Sequence, residues 1–170
     1  LGYNTGTASS PGDLFDDESN KIVLGNDNIT HAHIQEDWTV VSDVRDKTDF
    51  TALDLGLDFV NDLNPVTFRW DKRSKYLTEV GQELSSVTTD GTHKEDQLRV
   101  GFKAQEVEAL EVAAGYSIAN ETNLLTDVSK SGNKYGLQYG RFVPILVKAI
   151  QEQQDLIEAL TDRIAVLEGG

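Results

Sequence analysis

The chain has 170 residues, a formal net charge of −14 at pH 7 and no cysteine. Its pI near 4.4 argues against nucleic acid and against an anionic membrane as partners, because both attract clustered lysine and arginine. The absence of cysteine excludes a disulfide, a thiol nucleophile and a cysteine-ligated metal, and we predict no cofactor. Because residue 1 is leucine rather than methionine, we expect a fragment of a longer protein.

Residues 1–20 show neither helical nor strand periodicity and are predicted as a loop with a solvated acidic cluster. Short apolar runs at Ile22–Leu24 and Trp38–Val41, separated by the turn Gly25–Asn28, then predict strands. This part has too few large apolar residues for a core of its own, so we expect its strands to pack against other chains.

His31 and His33 are two residues apart and would share one face of a strand. In a threefold assembly six imidazoles would meet at the axis, which suits an octahedral metal. The favoured interpretation is that His31 and His33 are ordinary strand residues, so no metal ligand is assigned. His93, in a polar loop, is also given no role.

The centre of the chain alternates helical and strand patterns, which predicts a small α+β domain. Apolar residues from Phe50 to Leu63 follow a helical stripe that is broken at Gly56 and ends at Asn64-Pro65. The further predicted elements are a strand at 66–70, a strand at 98–102, a helix at 104–110 and two or three short strands within 113–137.

A heptad pattern begins at Val143 and predicts a long C-terminal helix. Its a positions are Val143, Ile150, Ile157 and Ile164, and its d positions are Leu146, Gln153, Leu160 and Leu167. The pattern favours self-association through a coiled coil. β-branched a residues with leucine at d favour a parallel dimer, but Gln153 at d and Leu156 at g weaken that preference, so the heptad alone leaves the order open.

Four segments occur in the order typical of one family: residues 38–47 (Trp-Thr-Val-Val-Ser-Asp-Val-Arg-Asp-Lys), residues 55–68 (Leu-Gly-Leu-Asp-Phe-Val-Asn-Asp-Leu-Asn-Pro-Val-Thr-Phe), residues 101–108 (Gly-Phe-Lys-Ala-Gln-Glu-Val-Glu) and residues 139–152 (Tyr-Gly-Arg-Phe-Val-Pro-Ile-Leu-Val-Lys-Ala-Ile-Gln-Glu). Together they resemble the C-terminal intramolecular chaperone domain of bacteriophage tail fibres and tailspikes, classed as peptidase S74. Lys103 is a departure, since the family more often has an apolar residue there.

The resemblance implies an α+β domain with a long C-terminal coiled-coil helix, preceded by a short β-rich fibre end and assembled as a parallel homotrimer. Residues 1–42 would be the fibre end, 43–142 the globular chaperone and 143–170 the trimerisation helix. The partners would be two further copies of the chain and the upstream fibre segment. The fibre end would stay in the virion, and the chaperone would act in the host cytoplasm and be released.

The family's nucleophile corresponds to Ser42 and its lysine to Lys47, with cleavage of the Ser42–Asp43 bond. Five residues of separation place Ser42 and Lys47 on opposite faces of a strand, so the pair requires a turn between Asp43 and Asp46. Arg45 is a candidate accessory cation that would favour neutral Lys47. Trimer assembly would then supply the reactive geometry. From the residues alone, without the resemblance, this stretch is interpreted as a polar turn.

Two alternatives remain, a non-catalytic trimerisation module and a receptor-binding fibre tip within residues 1–41. A hydrolase acting on external substrates is disfavoured, because the chain has no Gly-x-Ser-x-Gly elbow and its three histidines are not arranged for a triad.

Overall fold

The computed structural model describes residues 22, 24–29, 31–78, 82–129 and 131–169. The loop and acidic cluster predicted within residues 1–20 lie outside these ranges. The chain forms two compact units. One comprises Leu1–Asp37, Pro65–Ala104 and Asp127–Gly136, and the other comprises Trp38–Asn64, Gln105–Thr126 and Leu137–Gly170.

The second unit is built on three helices, α1 (Leu57–Asp62), α2 (Ala104–Ala113) and α3 (Phe142–Glu168). Helix α1 ends before Asn64-Pro65, where the sequence predicts a stop, and Pro144 lies in the first turn of α3, where its missing N–H costs nothing. The buried apolar side chains of this unit are Leu55, Phe59, Val107, Leu125, Phe142, Ile145 and Ala149. The predicted C-terminal helix is therefore confirmed over almost its full length.

The first unit contains an antiparallel pair of strands, β1 (Val66–Phe68) and β2 (Arg99–Gly101), in which Thr67 lies opposite Val100. Among its described residues, Leu84 is the large apolar side chain that is buried. The turn at Asn26–Ile29 forms as predicted, with the Ile29 N–H donating to the Asn26 carbonyl at 3.0 Å.

A second two-stranded sheet pairs β3 (Thr126–Val128) with β4 (Tyr135–Leu137). Gly132 lies in the connecting turn with φ of 74°, a left-handed conformation that glycine adopts without a steric penalty. These two strands confirm the prediction for the later part of 113–137, whereas residues 114–125 form turns and irregular structure. The architecture is α+β with a long C-terminal helix.

The helix predicted from Phe50 is wrong in its first half. Residues 50–56 are not helical, α1 begins at Leu57, and the Phe50 side chain is 67% exposed. Leu55 instead reaches the core from irregular backbone, and the Asp54 carboxylate accepts a hydrogen bond from the Tyr116 hydroxyl at 2.6 Å. Tertiary contacts thus replace the local helical preference.

The strand predicted at Trp38–Val41 is also wrong for the single chain, since residues 31–43 contain no strand. Val40 and Val41 are 82% and 81% exposed, so no apolar face within the described chain drives strand formation there.

No helix among the described residues combines the length and apolarity that a membrane span requires.

Candidate active site

A single turn of 3₁₀ helix at Val44–Asp46 reverses the chain after Ser42. The Asp46 N–H donates to the Asp43 carbonyl at 3.2 Å, and the Lys47 N–H donates to the Val44 carbonyl at 3.3 Å. The Asp43 side chain caps the turn, with Oδ1 accepting from the Arg45 N–H at 2.9 Å. This is the turn that the spacing of Ser42 and Lys47 requires.

The turn brings the Lys47 side chain onto Ser42, where Lys47 Nζ donates to Ser42 Oγ at 2.5 Å. The expectation that these two atoms lie within hydrogen-bond reach is confirmed. The contact forms within one chain, so assembly is not needed to create it.

Both Ser42 and Lys47 are exposed. Lysine acts as a general base only in its neutral form, and burial favours that form because it penalises the ammonium. Within the described part of this chain, nothing buries the pair. The single chain therefore holds the pair in contact but leaves it in water.

Arg45 is bound to Asp43 rather than held as an unpaired cation. Arg45 Nε donates to Asp43 Oδ1 at 3.0 Å and to Oδ2 at 3.2 Å, and Nη2 donates to Oδ2 at 2.6 Å. The side-chain hydrogen bond from Arg45, helped by its backbone N–H, lowers the pKa of Asp43, and the same pairing raises the pKa of Arg45. The charge of Arg45 is thus balanced by its neighbour.

Helix α3 presents two different faces in its first three turns. Phe142, Ile145 and Ala149 are buried against the helix's own unit. The heptad positions lie roughly a quarter of a turn away at 3.6 residues per turn and remain exposed. Their exposed apolar members are Val143, Leu146, Ile150, Ile157, Leu160, Ile164 and Leu167, which together we call the seam. Domain packing and the seam therefore use different stripes of one helix.

Glu152 anchors α3 to the N-terminus of α1. Its Oε2 accepts from the Leu57 N–H at 2.6 Å, and its Oε1 accepts from Lys148 Nζ at 3.1 Å. The backbone hydrogen bond from Leu57, with the bond from Lys148, lowers the pKa of Glu152. A Cβ at Gly56 would lie 2.1 Å from Glu152 Oε2, so the anchor requires glycine at that position.

Glu111 is a charged side chain in the core, 1% exposed on the buried face of α2. Its Oε1 accepts from the N–H groups of Leu124 and Leu125 at 2.6 and 2.7 Å. Its Oε2 accepts from Thr126 N at 3.0 Å and from Thr126 Oγ1 at 2.5 Å. The carboxylate thus fixes the segment that leads into β3. In the sequence, Glu111 lies four residues after Val107 and therefore on the same face of the helix, which is the signal that could have indicated its burial.

The three histidines lie in two separate ring contacts among the described residues of a single chain. The rings of His31 and His33 stack with centroids 6.0 Å apart and planes at 10°, although the strand on which they were predicted to share a face does not form. No group of three or more potential metal ligands occurs among the described residues. His93 packs edge-on against Tyr76, with ring centroids 4.6 Å apart.

The family model of peptidase S74, described as the chaperone of endosialidase, matches residues 42–116. The match begins at Ser42 and includes Lys47 together with α1, β1, β2 and α2. A comparison with curated proteins found no match. Over residues 42–116 the chain thus matches the peptidase S74 family, the chaperone of endosialidase, as the resemblance of its sequence predicts.

Proposed function

We propose that this chain is the intramolecular chaperone of a phage tail fibre or tailspike. Three copies associate and support folding of the upstream fibre, and the chaperone then releases itself by cutting the Ser42–Asp43 bond. The family match supports the chaperone role. The observation that carries the cleavage step is the 2.5 Å contact between Lys47 Nζ and Ser42 Oγ.

The chemistry follows from the two side chains. A serine hydroxyl becomes an effective nucleophile when a base removes its proton, and neutral lysine is such a base. Lys47 is already within hydrogen-bond reach of the proton to be taken. Burial of the pair on assembly would favour neutral Lys47. Assembly therefore switches on cleavage by excluding water from the pair.

The position of the bond indicates which serine attacks. A serine that attacks the carbonyl of its own residue would form a strained four-membered ring. We therefore propose that the pair of one chain attacks the Ser42–Asp43 bond of a neighbouring chain. Ser42 Oγ adds to the neighbour's Ser42 carbonyl, the Asp43 amine leaves with the proton, and water then hydrolyses the ester. Each bond cut consumes one water and yields a Ser42 carboxylate and an Asp43 amine.

The seam of α3 supports self-association. Its apolar residues are exposed along a helix of 27 residues, and beyond Glu152 the helix is exposed on all sides. An amphipathic helix of this kind gains stability by burying its apolar stripe. We propose a parallel homotrimer, in which the upstream fibre segment of each chain is the second partner.

The products have different destinations. Residues 1–42 stay with the fibre in the virion, and residues 43–170 act in the host cytoplasm during assembly and then leave. Val40 and Val41, which precede the bond, expose apolar surface in the single chain. Packing of the three chains would cover this surface.

A dilution series tests the link between assembly and cleavage. Cleavage is expected at concentrations where the purified protein is trimeric and is expected to stop where it is monomeric. A non-catalytic trimerisation module, favoured by the exposure of Lys47, would instead remain at 18.7 kDa per chain at every concentration. Equal cleavage rates in monomer and trimer would contradict the proposed control by assembly.

A further inference from the structure

We propose that Arg45 is a positioning residue for the cleavage reaction: it holds the Asp43 carboxylate away from Lys47 and so leaves Lys47 to Ser42. This inference rests on the proposed function and assigns a role within the same site. It replaces a direct action of Arg45 on the lysine with an action through Asp43.

The geometry shows that Arg45 occupies the Asp43 carboxylate fully. Three side-chain contacts of 2.6 to 3.2 Å join the guanidinium to both carboxylate oxygens. The Arg45 N–H adds a fourth contact to Oδ1 at 2.9 Å. The planar guanidinium matches a carboxylate with two parallel hydrogen bonds, a geometry that an ammonium cannot reproduce.

Without Arg45, the nearest strong partner along the turn is Lys47. Asp43 and Lys47 flank the 3₁₀ turn as its N-cap and C-cap residues, and Asp43 directly follows the serine that Lys47 contacts. A carboxylate beside Lys47 would favour the ammonium and compete with Ser42 for its hydrogens. Both effects oppose the neutral, serine-bound lysine that cleavage requires. Asp46 and Asp49 are also close to Lys47 in sequence, and both are left unchanged in every variant compared below.

The test compares cleavage rates of Arg45→Gln, Asp43→Asn and the double variant with the wild type. Arg45→Gln is expected to slow cleavage about tenfold, because a neighbouring opposite charge commonly changes the neutral fraction of a lysine by that factor or more. The double variant is expected to cleave within about threefold of Asp43→Asn, since asparagine also caps the turn and leaves no carboxylate for Arg45 to hold. Asp43→Asn is the reference for this comparison, because Asp43 belongs to the bond that is cut.

Lys94→Gln is the matched control, because Lys94 is exposed and lies outside the reactive turn, and its cleavage rate is expected to be unchanged. The Arg45 side chain is 84% exposed, so thermal unfolding and trimer mass should not change in Arg45→Gln. An Arg45→Gln variant that cleaves at the wild-type rate would overturn the inference, and so would a tenfold difference in rate between the double variant and Asp43→Asn. If the wild type itself is not cut, the proposed function fails and this inference fails with it. If the wild type is cut and Arg45→Gln is cut at the same rate, only this inference is refuted and the proposed function stands.

Discussion

The Glu152 carboxylate accepts a hydrogen bond from the Leu57 N–H at 2.6 Å, across 95 residues of sequence. The first turn of a helix has unpaired N–H groups and a partial positive charge, so a carboxylate there stabilises α1. Glu152 lies on the same helix as the seam. Helix α3, through which we propose that the trimer assembles, is thus also bound to the domain that follows the cleavage site.

Glu152→Gln is expected to lower the melting temperature at pH 7 and to have a smaller effect at pH 3. The folded-state pKa of Glu152 lies below the ordinary value of 4.5, so its contribution to stability is present above pH 4.5. That contribution is lost as the pH falls through the lowered pKa. Thermal unfolding of both proteins at the two pH values measures the effect.

Glu158→Gln is the matched control, because Glu158 is exposed on the same helix and accepts a hydrogen bond from Gln154. Gly56→Ala should remove the same anchor by displacing the carboxylate. The double variant Gly56→Ala/Glu152→Gln should therefore lose less stability than the sum of the single variants. Additive losses, or an equal loss at pH 3 and pH 7, would argue against the anchor.

Glu111→Gln is expected to reduce the free energy of unfolding by on the order of 1–3 kcal/mol, because an amide NH₂ would face N–H donors in a buried site. Chemical denaturation measures the loss. Glu108→Gln on the same helix is the comparison, since Glu108 is only half-buried, and it should change stability little. Equal stabilities of the two variants would show that the Glu111 hydrogen bonds contribute little.

Ile157→Gln is expected to weaken self-association, because burial of an isoleucine side chain contributes about 1.5–3 kcal/mol per chain. Ile157 lies on the seam and is 51% exposed in the single chain. Val166→Gln is the matched control, since Val166 is exposed on the same helix but lies off the seam. Light scattering after size-exclusion chromatography should show monomer for Ile157→Gln at concentrations where Val166→Gln is trimeric. Equal masses for both variants would show that the seam does not mediate assembly.

Mixed trimers test whether the serine attacks a neighbouring chain. When Ser42→Ala chains are assembled with wild-type chains, the wild-type serines are expected to cut the variant chains. The diagnostic product is a 1–42 fragment that ends in alanine, which differs in mass from the wild-type fragment. If only fragments ending in serine appear, attack between chains is wrong. Cleavage in trimers made only of Ser42→Ala chains would indicate water activated by Lys47.

The sequence predicted the elements that depend on local pattern. The heptad located α3, Pro65 marked the end of α1, and alternation located β1 and β2. The pairing of Ser42 with Lys47 followed from the resemblance together with the need for a turn.

The remaining contacts depend on tertiary structure and leave little local signal. The Gly56–Glu152 approach joins residues far apart in sequence, and no periodicity predicts it. Phe50 fits a helical stripe, yet it is exposed because the chain to Leu55 is held by tertiary contacts. Arg45 lies within the turn Val44–Asp46, and its pairing with Asp43 depends on how that turn folds.

The most direct measurement is the intact mass of the wild type beside Ser42→Ala and Lys47→Ala, each incubated as a purified trimer. The wild type alone is expected to yield a 43–170 fragment whose N-terminal residue is Asp43, together with a 1–42 fragment. Both variants are expected to stay at the full mass. An uncut wild-type trimer, or equal cleavage in all three proteins, would contradict self-cleavage by Ser42 and Lys47.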